Sequence, residues 1–163
     1  MPLTVSSIPP HHVGVAGHRR LMSAIIVLAV VGVLVSSLSL YEHFATSKSS
    51  FCDIGESFNC DLVNRSPYSI LLGVPVALIG GLGYFLVLVL ATVYRHATES
   101  PFLLLIAALV GLSFALYLTY IEAHVLTVWC LLCLASLAVI LGITVLSAFI
   151  ALGAKPKSQT IRD

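Results

Sequence analysis

Four cysteines carry the reactive chemistry of this chain: Cys52 and Cys60 in FCDIGESFNC, and Cys130 and Cys133 in VWCLLCLAS. Paired thiols can hold a metal, exchange disulfides, or pack as small apolar side chains. The spacings narrow that choice. Structural zinc motifs use short gaps, C-x2-4-C, for both pairs, whereas seven residues separate Cys52 from Cys60. The nearest histidines, His43 and His124, do not stand at a zinc-motif spacing, so no metal site is expected. Thiol–disulfide exchange is the favoured chemistry. Inert packing and purely structural disulfides are the competing readings.

The segments that hold these thiols are too apolar for a domain in water. Of 163 residues, 59% are hydrophobic and 9% charged, against roughly 25% charged in a soluble domain. A bilayer takes about 20 helical residues to cross. Four spans of that length are predicted, at about 21–41, 71–94, 101–123 and 127–152. The last two form one apolar run broken by Glu122 and His124. A charge at the bilayer centre costs about 2.5–3.5 kcal/mol, so these two residues are expected in a tight external turn. The fold expected is all-α, an integral membrane four-helix bundle with an extracytoplasmic loop cap.

Basic residues orient the bundle. Arg19 and Arg20 precede the first span, Arg95 follows the second, and Lys155, Lys157 and Arg162 follow the fourth. With an even number of spans these segments share one side. They hold six of the eight Lys and Arg residues, which makes that side cytoplasmic. Residues 1–20 and 153–163 are then cytoplasmic tails around a domain at 21–152, in the plasma (inner) membrane. The first apolar run is longer than a signal-peptide core of about 7–15 residues, so it is read as a retained span. A net charge of +1 with no basic block offers nothing to nucleic acid.

This topology puts all four thiols on the outer side, where disulfides persist. Thr127 is the expected N-cap of the fourth helix. That would set Cys130 and Cys133 in its first turns, where unpaired amides favour a thiolate and lipid-soluble molecules are within reach. The loop pair instead meets water and soluble proteins. Two pairs on one membrane face form a plausible electron relay. Tyr41, Glu42, His43 and Trp129 are read as interfacial anchors. Phe85, Phe114, Tyr117 and Tyr120 are candidates to line a pocket. Ala77/Gly81 and Gly111/Ala115, small residues four apart, predict close helix contacts.

The order CDIGESFNC, Ser66-Pro67-Tyr68, Gly73-Val74-Pro75 with Gly80, then CLLC, resembles the vitamin K epoxide reductase family in its bacterial form. The resemblance covers about residues 21–150 and implies a four-helix bundle around a quinone pocket. By position, Cys52 would accept attack from the dithiol of a thioredoxin-like partner, and Cys60 would pass electrons to Cys130. Cys133 would lie nearest the quinone, and Ser66 would be the loop hydroxyl beside the pocket. Vertebrate members place an Asn and a Tyr against the naphthoquinone. The matching positions here are Ser69 and Leu137, which favours quinone reduction over epoxide reduction. Many bacterial members carry a fused thioredoxin-like domain after the fourth helix. None follows within these 163 residues, so the expected partner is a separate extracytoplasmic protein.

The resulting expectation is a quinone-dependent thiol–disulfide oxidoreductase that supports disulfide formation, with menaquinone or ubiquinone as cofactor. The alternatives are a non-catalytic membrane protein held by structural disulfides or a metal, and a quinone-epoxide reductase.

Overall fold

A computed structural model describes residues 15–45, 59–95 and 102–153. Cys52 and most of both expected tails lie outside the described residues. Five helices follow in chain order: α1 (Val15–Phe44), the short α2 (Cys60–Asn64), α3 (Val76–Tyr94), α4 (Phe102–Ile121) and α5 (Leu131–Gly153). A π-helical turn, Glu122–Leu126, continues α4. Counting that turn with α4, four helices among the described residues are long and apolar enough to cross a membrane. The fold is an all-α membrane bundle. Helix is the form such sequence must take in lipid, because each backbone N–H and C=O then finds its partner within the segment.

The four long helices close into a ring: α1 packs on α3 and α5, and α4 packs on α5 and α3. The core draws on all of them, with Met22, Ile25 and Ala29 from α1, Tyr84 and Val87 from α3, Leu104 and Ala108 from α4, and Ile140 and Ile143 from α5. Between helices in lipid, association depends on close packing more than on apolar burial. Glycines permit it at the tightest crossings. A Cβ at Gly32 would run into the Tyr84 ring, and one at Gly111 would stand 3.1 Å from Ile140 Cδ1. The Gly111 contact joins α4 to α5, as the small-residue spacing predicts.

Between α1 and α3 the chain builds a cap. Asn59 starts α2, its Oδ1 accepting the Leu62 N–H at 2.8 Å, an ordinary N-cap. A 3₁₀ turn at Pro67–Ser69 leads into β1 (Ile70–Leu71) and β2 (Val74–Pro75), paired antiparallel as Ile70↔Pro75 and Leu71↔Val74. The two-residue turn between them has positive φ at Leu72 (53°) and Gly73 (83°). That is the primed geometry whose twist suits a hairpin.

The connection between α4 and α5 differs from the expected turn. Thr127 adopts a left-handed conformation, φ 52°, and its hydroxyl donates to the Leu126 carbonyl at 2.8 Å, so it caps nothing. The fourth spanning helix starts at Leu131 instead. Because the π turn prolongs α4, Glu122 stays inside the bundle and is 2% exposed.

Candidate functional site

Cys130 stands just before α5 and acts as its cap. Its carbonyl accepts the Leu134 N–H at 3.0 Å, and its Sγ accepts the Cys133 N–H at 3.4 Å. Cys133 follows in the first turn, and both are free thiols. The Cys133 side chain hydrogen-bonds Cys130 and holds its thiol below the ordinary value, against the opposing effect of burial. Unpaired amides at a helix start act in the same direction. Glu122 completes the group. Its Oε2 accepts the Cys130 N–H at 3.2 Å, and its carboxylate is hydrogen-bonded to the Cys133 side chain. A carboxylate oxygen of Glu122 and the two sulfurs all lie within 4.8 Å of one another.

The second pair reaches this group from the cap. The Asn59 N–H donates to the Trp129 carbonyl at 3.1 Å, tying the start of α2 to the residue before Cys130. Cys60, the first residue of α2, is thereby held in one buried cluster with Val63 and Cys130, against which Cys133, Leu126 and Leu132 pack. Cys60 is disulfide-bonded.

A cavity of about 500 Å³ opens on the other side of Cys133. That is within the range of ligand pockets. Cys133 and Glu122 border it, whereas Cys60 and Cys130 do not. The walls are mainly apolar side chains of α1, α3, α4 and α5, and the polar groups gather at the cap end. There Asn64 Oδ1 accepts from the Ser39 hydroxyl at 2.8 Å, and His43 Nδ1 donates to the Asn64 carbonyl. Asn64 Nδ2 is buried without a partner. Deeper in, the Tyr84 hydroxyl donates to the Ser136 carbonyl at 2.8 Å.

A model of the Vitamin K epoxide reductase family matches residues 23–148, more than half of the chain. This protein belongs to the Vitamin K epoxide reductase family. Membership makes it a multi-pass membrane oxidoreductase of a quinone-linked family.

Within this vitamin K epoxide reductase homologue only some of the predicted residues come together at the site. Cys60, Cys130 and Cys133 come together, while Cys52 lies outside the described residues. Ser66 is buried at the cavity edge and its hydroxyl donates to the Val63 carbonyl at 2.8 Å. Ser69 also borders the cavity, but its hydroxyl is engaged by the Ser66 carbonyl at 2.7 Å. Of the aromatic candidates only Phe114 lines the cavity; Phe85, Tyr117 and Tyr120 face outward. Glu42 and His43, read as interfacial anchors, turn inward instead, Glu42 being buried and His43 bordering the cavity. Sequence reasoning missed Glu122, Asn64 and Tyr84. A usable signal existed for Glu122: an ionisable residue in an apolar run beside a reactive pair is a functional candidate by default.

Proposed function

We propose that this protein oxidises the dithiol of an extracytoplasmic thioredoxin-like protein and delivers the electrons to a membrane quinone, supporting disulfide formation. Cys52 and Cys60 form the pair that meets the partner, Cys60 exchanges with Cys130, and Cys133 faces the quinone. The observation that carries this reading is the order Cys60, Cys130, Cys133, cavity: only Cys133 of the described cysteines borders the cavity, and Cys130 packs against Cys60. Menaquinone and ubiquinone are both of the class the site would take.

The residues present fit a quinone. A ring with apolar faces and carbonyl edges matches mainly apolar walls that carry a buried, unpartnered donor, Asn64 Nδ2. When bound, the quinone supplies the two-electron oxidising capacity. This chain's residues place Cys133 against it, exclude water with the bundle walls, and hold the Ser66 turn at the cavity edge. Direction follows from potential, since about 30 mV is worth about 1.4 kcal/mol in a two-electron couple and an oxidised quinone pool lies well above a protein dithiol. The site is assigned to the extracytoplasmic face of the plasma (inner) membrane, with both termini cytoplasmic.

In purified protein, Cys130→Ala and Cys133→Ala should each abolish quinone-dependent oxidation of a dithiol partner. Full activity in either variant would overturn the relay. Disulfides that resist mild reductants, or stoichiometric zinc, would point to a structural role instead.

A further inference from the structure

Glu122 is a buried carboxylate for which the electron path alone has no use. An ionisable group kept out of water needs specific partners. Among the described residues no Lys or Arg pairs with Glu122; its partners are the Cys130 N–H and the Cys133 side chain. It also borders the cavity, so one carboxylate faces both the sulfur that gives up electrons and the space where an acceptor would lie.

The reaction proposed above moves protons as well as electrons. Cys130 and Cys133 together lose two electrons and two protons as their S–S bond forms, and the quinone gains both to become a hydroquinone. In an apolar pocket those protons need a carrier within hydrogen-bond reach. The other titratable side chains around the cavity are His43 on α1, Tyr68 in the 3₁₀ turn and Tyr84 on α3. His43 is engaged by the Asn64 carbonyl and Tyr84 by Ser136, and Tyr68 is largely exposed. Cys60 on α2 is disulfide-bonded, and His124, on the same π turn as Glu122, stacks outward on Tyr120. We propose that Glu122 is the proton carrier of the quinone-reducing step, taking the protons of the Cys133 and Cys130 thiols one after the other, both sulfurs lying within 4.8 Å of its carboxylate oxygen, and delivering each to a quinone oxygen. Its carboxylate is regenerated at each transfer, so the overall balance is unchanged. The inference rests on the quinone reading.

The test uses full-length Glu122→Gln. The amide oxygen still accepts the Cys130 N–H, so a purely structural role survives, while the proton acceptor is lost. Single-turnover quinone reduction should fall about a hundredfold, the lower end of what acid–base catalysis contributes, and lose the pH dependence of the wild type. Exchange between the partner dithiol and the loop disulfide should be unchanged. A second readout needs no quinone: oxidising the Cys130–Cys133 pair chemically should produce a carboxyl band in the infrared difference spectrum, absent from Glu122→Gln. An unaltered quinone rate in the variant, or no carboxyl band in the wild type, overturns the proposal. If Glu122→Gln does not fold, the wild-type infrared spectrum decides alone. A wild type that reduces no quinone would instead sink the functional reading, so the two failures are distinguishable.

Discussion

At the scale of single residues, Cys130 and Cys133 have different surroundings despite belonging to one pair. Cys130 is a helix cap whose sulfur receives the Cys133 N–H, and the Cys133 side chain lowers its thiol. With the loop disulfide intact, Cys133→Ser keeps a hydroxyl donor and should leave the Cys130 thiolate forming below ordinary thiol pH. Cys133→Ala removes that donor, so burial dominates and the transition should move upward. Thiolate ultraviolet absorbance across a pH titration reads both. Asn64 is a second case, because its Nδ2 is buried, unpartnered and at the cavity. Asn64→Leu should raise the KM for quinone severalfold, equivalent to about 0.5–1.5 kcal/mol for one hydrogen bond, with exchange at the loop pair unaffected. The cysteines were legible as candidates because spacing and topology single them out as two pairs on one side of the membrane. Glu122 was not, because hydropathy treats a charge as a break in a span and says nothing of whether a partner waits inside. Asn64 was hidden for a related reason: a polar loop residue carries no mark of which way it faces.

At the scale of elements, the crossing of α1, α3 and α5 fixes one wall of the cavity. Gly32 on α1 leaves room for the Tyr84 ring of α3, and the Tyr84 hydroxyl reaches the Ser136 carbonyl on α5, three residues after Cys133. An added methyl at Gly32 would meet aromatic ring atoms rather than the far end of a flexible chain, so the helices must separate or the ring must move. Gly32→Ala should therefore destabilise the bundle by about 1–3 kcal/mol, the usual range for overpacking, read as a lowered Tm in detergent. A parallel fall in the rate of quinone reduction would register the displaced start of α5. The existence of the long helices followed from apolar runs, but two of their starts did not: the span expected from about 71 begins at Val76, because the β1–β2 hairpin takes up Ile70–Pro75, and the span expected from 127 begins at Leu131. Thr127 has the chemistry of an N-cap, yet the chain uses it in a left-handed bend so that Trp129 can pair with Asn59. Local propensity gave way to a long-range contact.

At the scale of the whole molecule, the bundle concentrates its chemistry at one end. The last turns of α1, the first turn of α3, the π turn after α4 and the start of α5 all border the capped end of the cavity, through His43, Val76, Glu122 and Cys133. Arg19 and Arg20, in the first turns of α1, and Arg95, at the end of α3, belong to the opposite end. The charge asymmetry read from sequence thus coincides with a chemical asymmetry in the fold. If the basic end is cytoplasmic, a reporter active only in the cytoplasm should work when fused after Asp163 and fail when placed between Cys52 and Cys60. Neutralising Arg19, Arg20 and Arg95 together should lower the fraction of correctly oriented molecules, since Lys and Arg near the spans set orientation. Activity toward an extracytoplasmic dithiol should fall by the same fraction, because an inverted molecule presents its cysteines to a compartment that keeps thiols reduced. A reporter inactive after Asp163 in the unaltered protein would reverse the assignment and place the relay on the cytoplasmic face.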